Sequence, residues 1–423
     1  MIVMKKRLLA RRGAGYWLSA LLSASAVFGA VNAADSTTPV NGNAPGRLEL
    51  INEAGTQWRI PAGTTELSVL AVGGGGGGAP GLGNAGGGGG GGGLVYVDGY
   101  LKNFNAKAGD TIQIKVGLPG PIVSMTLGRQ GLPGEDTIFG KIRAIGGGGG
   151  GRGRNADPLH HASSGGSAGG GTMGNELPKA LQPGESGIGI GFGHPGGATA
   201  DIDGAGSGGG GAGGPGFPMG QGGGGIGLQG VPKDQYIDQT AGFVTKAFDA
   251  NNPDHYQLLF RDVFGSGYGE DGWFAGGGTY NTSENEDQGG RGGGSTWDAM
   301  PHTGGGGGGS RHGYQGSDPG IGGSGVVLIR CRNVDGSVTV HGWGRVQPDE
   351  LIGKALLKEP IFLLNLGQYD VALESLTKRM QGRELPTTVE VNALRVRGRI
   401  YAAMGKEEEA LADFKEALKL ETP

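Results

Sequence analysis

The chain has 423 residues, and its 35 Lys and Arg against 39 Asp and Glu leave a formal net charge of −4. That balance provides no electrostatic reason to expect a nucleic-acid partner. Glycine contributes 100 residues, more than three times its ordinary share of about 7%. Because the glycines stand in unbroken tracts rather than in a Gly-X-Y period, a collagen triple helix is excluded.

The N-terminus has the pattern of an export signal over residues 1–34. A basic stretch, MIVMKKRLLARR, precedes an apolar one, GYWLSALLSASAVFGAV, and the small residues there predict cleavage after Ala33 or Ala34. An uncleaved anchor is the alternative. No later run approaches the roughly 18 apolar residues of a membrane span. We therefore expect an exported bacterial protein of the periplasm, outer surface or medium, with no stable membrane span after cleavage.

Composition divides the remainder into three parts. Residues 35–46 form a polar linker, residues 47–344 hold nearly all the glycine, and residues 345–423 are nearly free of glycine and have helical patterns. This shift in composition predicts a domain boundary near residue 344.

The glycine-rich part contains short strand patterns that lead directly into or out of glycine tracts. The clearest contains Leu67, Val69 and Ala71 on one face. Further strands are predicted at 47–51, 57–61, 94–100, 111–116, 136–139, 142–145 and 325–332. Cys331, the only cysteine, lies in the last of these, which predicts a packed side chain and excludes an intramolecular disulfide.

Four pure glycine tracts adjoin these strands, at 73–78, 86–93, 146–151 and 304–309. Without Cβ, a chain can adopt an extended threefold helix close to polyproline II, which has no internal hydrogen bonds. Several such helices side by side can satisfy each other's N–H and C=O groups, and this must offset the large entropy cost of ordering glycine. The alternative is a disordered spacer, although spacers usually interleave serine. The tracts therefore predict packed polyglycine II-like helices.

The order of these motifs resembles the glycine-rich domain of bacterial surface proteins and phage tail fibres. The resemblance rests on the runs WRIPAGT, LSVLAVGGGGGG, AGDTIQIKVG, DTIFG, RAIGGGGGG, WFAGGG and GSGVVLIR. It implies that polyglycine-type helices pack beside a small β-framework. The expected fold class is therefore mixed, a β-framework with packed polyglycine II-like helices, followed by a small all-α unit.

Residues 231–267 depart from this pattern, since they contain little glycine and many Tyr, Phe and Asp. The four-residue spacing of Phe243 and Ala247 predicts a short helix near 232–251. The segment would be either a contact surface of exposed aromatic side chains or a local hydrophobic plug.

The C-terminal part resembles the tetratricopeptide family. The spacing typical of that repeat is met by Leu394, Gly398, Tyr401, Gly405, Ala410, Phe414 and Ala417. Gly398 and Ala410 predict a close approach of two antiparallel helices, with Tyr401, Phe414 and Leu418 filling the gap between them.

A weaker copy of the repeat precedes this one. Its residues Gly367, Ala372 and Leu376 stand 38 positions before their counterparts, rather than the usual 34, and Pro360 replaces a small residue. Fewer than the usual three repeats are present, so the unit needs further burial. The resemblance implies protein binding, with a protein partner or a second copy of the chain docking on these helices.

Signals for chemistry are weak throughout the sequence. At this glycine content G-x-G-x-x-G matches arise by chance, and no G-K-[ST] follows a tract. The pair His160–His161 lacks zinc-site spacing, Asp201–Gly204 lacks the positions of a calcium loop, and Asn281 begins a glycosylation sequon of little meaning in a bacterial chain. We expect no cofactor, no metal and no catalytic residues.

Three functions remain as hypotheses. The first is an exported, non-enzymatic surface or periplasmic protein, in which the glycine-rich domain is a presenting or adhesion module and the helices bind a protein. The second is a phage-derived receptor-binding module whose loops around 281–297 recognise a surface glycan or a protein. The third is an enzyme that acts on the cell envelope.

Overall fold

The computed structural model describes most of the chain from residue 47 onward. The described residues are 47–51, 55–81, 86–121, 130–152, 161–171, 178–185, 189–197, 206–218, 223–238, 243–280, 289–310, 319–345, 356–357, 360–361, 363–365, 367–380 and 385–421. The predicted signal peptide and linker therefore lie outside the described residues.

A six-stranded sheet forms the centre of the β-framework. Its strands are β1 (Glu49–Ile51), β3 (Thr64–Val72), β4 (Leu94–Val97), β8 (Ile190–Phe192), β11 (Val326–Asn333) and β12 (Val338–Arg345). Their spatial order is β1-β12-β11-β3-β4-β8, and every neighbouring pair is antiparallel except β1 and β12. The two halves of the glycine-rich part therefore meet in one sheet, because β3 pairs along its length with β11.

A four-stranded antiparallel sheet packs on one face of this sheet. It consists, in spatial order, of β2 (Thr56–Arg59), β5 (Thr111–Lys115), β6 (Thr137–Phe139) and β7 (Ile142–Ala144). The core between the two sheets contains Leu67, Val69 and Ala71, which confirms their predicted common face. A short helix, α1 (Tyr100–Asn103), adds Tyr100 to this core.

The segment 231–267 covers the opposite face of the six-stranded sheet. Its strands β9 (Gly230–Pro232) and β10 (Tyr256–Leu259) pair with each other, and α3 (Phe260–Phe264) follows. Tyr256, Phe260 and Phe264 are at most 5% exposed and form one cluster with Leu70 and Val72 of β3. Of the two interpretations, the hydrophobic plug therefore agrees with the burial of these side chains.

The helix predicted near 232–251 is wrong for the part that the structure describes. A single 3₁₀ turn spans Asp234–Tyr236, and Ile237 forms an isolated bridge with Val244. Further on, polar side chains hold turns, since Asp249 accepts a hydrogen bond from the Asn251 N–H at 2.9 Å. Such local side-chain bonds compete with a helix.

The glycine tract that follows β3 runs extended and bonds to its neighbours in rotation. The N–H groups of residues 73, 76 and 79 donate to 87–93, those of 74 and 77 to 132–135, and those of 75 and 78 to 320–323, over 2.8–3.0 Å. Each neighbour is thus met by every third residue.

The tract 86–93 lies at the centre of this arrangement. Its N–H groups donate over 2.7–3.1 Å to three segments in turn, namely 304–310, 145–151 and 207–210. Its carbonyl oxygens accept from three others, namely 73–79, 167–170 and 278. Across the four tracts, all of which are described, only Gly304 has a positive φ. One buried chain therefore has hydrogen-bonded neighbours on six sides.

The longer helices of the described residues lie in the C-terminal part of the chain. Besides the short α2 (Gln182–Glu185), the structure has α4 (Tyr369–Met380), α5 (Thr387–Ala403) and α6 (Glu407–Glu421), with further helical residues at 356–357, 360–361 and 363–365. Within the described ranges, no helix is both long and apolar enough to cross a bilayer. The fold is thus mixed, as predicted, with sheets, glycine segments and C-terminal helices.

Two strand predictions need correction. The strand predicted over 94–100 ends at Val97, because Gly99 adopts a left-handed φ of 64° and α1 begins at Tyr100. The set of strands does not close at residue 332, since β12 follows and pairs with β11. The predicted boundary at residue 344 lies at the end of β12, and residues 346–355 beyond it are outside the described part, so the boundary stays a prediction.

Candidate functional site

The directions of the glycine segments place the outer ends of these segments together, away from the sheets. Segments 73–81 and 146–152 follow β3 and β7 and lead away from the sheets, and 304–310 runs the same way, antiparallel to 86–93. Segments 86–93, 130–136 and 319–325 return and lead into β4, β6 and β11. Residues 79–81, 86–87, 131–132, 150–152, 307–310 and 319–320 therefore lie farthest from the sheets; we call them the distal end.

The interior of these segments has no room for side chains. A Cβ on Gly89 would lie well under 3.0 Å from the carbonyl oxygen of Gly76, and one on Gly75 would overlap the carbonyl oxygen of Gly305. Real Cβ atoms essentially never approach so closely. The interior of the tracts can therefore carry no side chains for recognition.

The helical residues form two hairpins joined by left-handed glycines. Gly367 has a φ of 76° and Gly405 a φ of 74°, so both predicted turn glycines occupy a conformation that other residues rarely adopt. In the first hairpin Ala372 and Leu376 are fully buried. The two hairpins therefore correspond in the backbone conformation of their turn glycines as well as in sequence.

The second hairpin brings most of its predicted packing residues together. Ala410 and Ala417 on α6 are at most 4% exposed, and Ala417 clusters with Leu394 on α5. The ring of Phe414 lies over Gly398, where a Cβ would come within 2.7 Å of it. The small residue at 398 therefore permits the close contact that the sequence predicts.

Two details of that prediction need correction. Leu418 does not fill the gap between the helices, since it is 62% exposed, and Phe414 is still 38% exposed. Tyr401 is only partly buried, with the Lys406 ammonium 5.9 Å from its ring centroid. These aromatic and apolar groups therefore leave part of α6 facing solvent.

A partly buried ion pair, which the sequence pattern did not reveal, joins α5 to α6. The Arg397 guanidinium donates two hydrogen bonds to the Asp413 carboxylate, at 2.8 and 2.7 Å, and Asp413 is 7% exposed. Hydrogen bonding to this carboxylate raises the pKa of Arg397. The sequence signal that could have revealed this pair was an aspartate on the buried face of an amphipathic helix, 16 residues after an arginine.

Replacing Asp413 with asparagine is expected to destabilise the helical region by about 2 kcal/mol, because it leaves the Arg397 charge partly buried without its counter-ion. Chemical denaturation of the full chain, followed by far-UV circular dichroism, measures this. Glu416→Gln, which removes the exposed pair with Lys419, serves as the control and should cost less than about 0.5 kcal/mol. Equal effects of the two substitutions would contradict the prediction.

A pocket of about 600 Å³ lies where the two hairpin turns approach. It is lined by Gly367, Gln368, Tyr369, Asp370, Val371, Ala403 and Met404. Of the predicted packing residues, only Gly367 contributes to it. Its walls combine an acid, an amide and apolar groups.

The described residues contain no group of three or more His, Cys, Asp or Glu that could hold a metal. Burial raises the pKa of Cys331 to about 12, so its thiol stays protonated and packed, as predicted. His161 is described and His160 is not, so the expectation that this pair holds no metal is not tested. The segments 201–205 and 281–288, which include Asp201–Gly204 and the sequon, lie outside the described residues.

Residues 52–332, well over half of the chain, match the family model described as a glycine-rich domain. The chain belongs to this glycine-rich domain family. No curated protein matches the chain at a significant level. The glycine-rich domain match includes every strand from β2 to β10 and nearly all of β11, and it ends before β12 and the helices.

The sequence reasoning missed several neighbours of the tracts 73–78 and 86–93. Segments 132–135, 167–170, 207–210 and 320–323 of the glycine-rich domain are mixed runs such as LPGE and GIGG rather than pure glycine. A signal was present, because each segment has glycine or another small residue at the position whose side chain would point towards a tract.

Proposed function

We propose that this chain is an exported, non-enzymatic protein whose glycine-rich domain is a rigid presenting module and whose helices bind a protein. The observation that carries the proposal is that the glycine segments lead away from and back to the sheets in alternating directions, so that their outer residues gather at the distal end. Residues there are held far from the sheets at fixed mutual positions. Such an arrangement suits display of binding segments.

The rigidity depends on the tracts being polyglycine II-like helices. In support, successive residues of the segments 73–79 and 86–93 donate to different neighbours in rotation, with a period of three. A left-handed threefold chain produces that rotation. Side chains would separate the chains, and the tracts are buried along their length. We infer a lattice whose inter-chain hydrogen bonds offset the entropy cost of ordering glycine.

A tetratricopeptide-type unit accounts for the C-terminal part of the proposal. Its support is the pair of hairpins with matching left-handed glycines and matching buried alanines, Ala372 and Ala410. Such helix pairs bury a continuous core only by stacking, which leaves outer faces for proteins. The receptor-binding hypothesis concerns residues 281–297, of which 281–288 lie outside the described part, so no structural observation favours it.

Backbone amide hydrogen exchange of the mature protein tests the lattice. We expect the amides of residues 73–78, 86–93 and 304–309 to exchange at least about a thousandfold more slowly than a random coil, because their hydrogen bonds open only with the core. The exposed turn at Ala62 and Gly63 is the internal control and should exchange fast. Random-coil exchange in the tracts would replace the rigid module with a flexible tether.

A further inference from the structure

The two helical hairpins carry the same apolar face, once on α4 and once on α6. Residues 38 positions apart correspond, so Leu373, Leu376 and Met380 on α4 match Leu411, Phe414 and Leu418 on α6. The face on α4 packs in one cluster with α5, through Val389, Ala393, Val396 and Ile400. The matching side chains on α6 are 52%, 38% and 62% exposed. A face that packs against the following helix in the first hairpin is therefore partly exposed to solvent in the second.

Among the described helices, only α6 itself has a surface of exposed apolar side chains that could pack against this face. The other large apolar side chains that are exposed stand on strands, in loops or singly on a helix: Leu50, Leu132, Ile190, Phe217, Val334, Val338 and Val371. Among the described helices, only α6 presents three of them at i, i+3 and i+7. We infer that α6 packs antiparallel against α6 of a second copy of this chain, across a two-fold axis near Phe414. This deepens, and rests on, the proposed protein-binding role of the helices.

The spacing of the face suits such a two-fold contact. Leu411 lies three residues before Phe414, and Leu418 lies four residues after it. In an antiparallel pair centred there, Leu411 comes beside Leu418 of the partner subunit, and the two Phe414 rings meet at the axis. The same surface patch thus serves on both subunits, as an isologous interface requires.

The charges that flank the face favour the antiparallel direction. The first turn of α6 carries Glu407, Glu408 and Glu409, and Lys419 lies near its end. Glu408 and Lys419 project to the same side of the helix, so the antiparallel pair brings Glu408 close to Lys419 of the partner subunit. Lys415 also projects to that side, close to the two-fold axis. It therefore lies near Lys415 of the partner subunit, and the repulsion between the two positive charges opposes association. The antiparallel helix dipoles add a favourable term.

The size of the face sets the expected strength. Three partly exposed side chains on each subunit bury far less than the roughly 1,200–2,000 Å² of a stable, specific interface. The dimer is therefore weak, and its population depends on protein concentration.

Sedimentation equilibrium of the full mature chain tests the inference. The weight-average mass should rise from monomer towards dimer between about 1 and about 200 µM, as a small interface requires. Leu411→Gln with Leu418→Gln should raise the dissociation constant at least about tenfold, since both side chains lose their apolar contact. Both are more than half exposed, so the fold should persist. Val334→Gln, at an 80% exposed turn, is the matched control and should leave association unchanged.

A charge exchange tests the orientation separately. Glu408→Lys or Lys419→Glu alone should weaken the dimer about threefold, and the double exchange should restore it to within about twofold. Lys415→Gln should strengthen the dimer, because it removes the repulsion at the axis. A mass that stays monomeric throughout, or an association that the leucine substitutions leave unchanged, would overturn the inference. Neither result would affect slow exchange in the glycine tracts. The proposed presenting module is therefore tested separately, by amide hydrogen exchange.

Discussion

Gly89→Ala is expected to destabilise the glycine-rich domain by at least about 3 kcal/mol, and to prevent folding if the domain is only marginally stable. Gly89 lies in the central tract, where its N–H donates to Gly307 and its carbonyl oxygen accepts from Gly278, each at 2.8 Å. A methyl group there would overlap the carbonyl oxygen of Gly76. Backbone cannot rotate away as a side chain can, so the added carbon must push two hydrogen-bonded chains apart. Denaturant unfolding followed by tryptophan fluorescence gives the free energy.

Two control substitutions separate this steric effect from the ordinary cost of exchanging glycine and alanine. Gly336→Ala places a methyl where nothing lies within 4 Å, although φ is 81°, and should cost only about 1 kcal/mol. Ala79→Gly, at the end of a tract where a methyl is already buried, should also cost about 1 kcal/mol. If Gly89→Ala were no worse than Gly336→Ala, the close packing of the tracts would be refuted.

The strands were predictable because burial on one or both faces leaves a pattern in short segments. Leu67, Val69 and Ala71 face the sandwich core, whereas Leu70 and Val72 face the 231–267 segment. β12 was missed because VTVHGWGR mixes histidine and glycine with its apolar residues. Its pairing with both β1 and β11 is a tertiary fact that no local pattern encodes.

The glycine tracts were recognisable, but most of their partners were not. A neighbour of a tract must lack a side chain only at positions that face the tract, so Leu132 and Glu135 are tolerated where they point to solvent. A search for uninterrupted glycine therefore finds the central segments and overlooks the peripheral ones. Similarly, the repeat spacing placed Phe414 on α6, but the exposure of its ring depends on which elements pack beside that helix, and spacing does not encode this.

Acid is expected to weaken the glycine-rich domain chiefly through the buried His194. His194 is 4% exposed, and its Nδ1 lies 3.1 Å from the carbonyl oxygen of Gly211. Burial lowers its pKa from 6.5 to about 4, despite the opposing effect of backbone carbonyl groups. Above pH 6.5 the ring is neutral in both states, so the folded state bears no penalty. Between pH 6.5 and about 4 the unfolded chain binds a proton that the folded chain does not, and stability falls as pH falls.

The loss across that window amounts to about 3 kcal/mol, since each unit of pKa difference corresponds to about 1.4 kcal/mol. Denaturant unfolding at pH 7.5 and at pH 4.5 measures it. His194→Asn keeps a donor for Gly211 but cannot take up a proton, so it should remove most of the pH dependence. Burial also lowers the pKa of His341, so His341→Asn should remove a further part. Unfolding free energies that depend on pH equally in the native protein and in His194→Asn would show that His194 takes up its proton without cost to the fold.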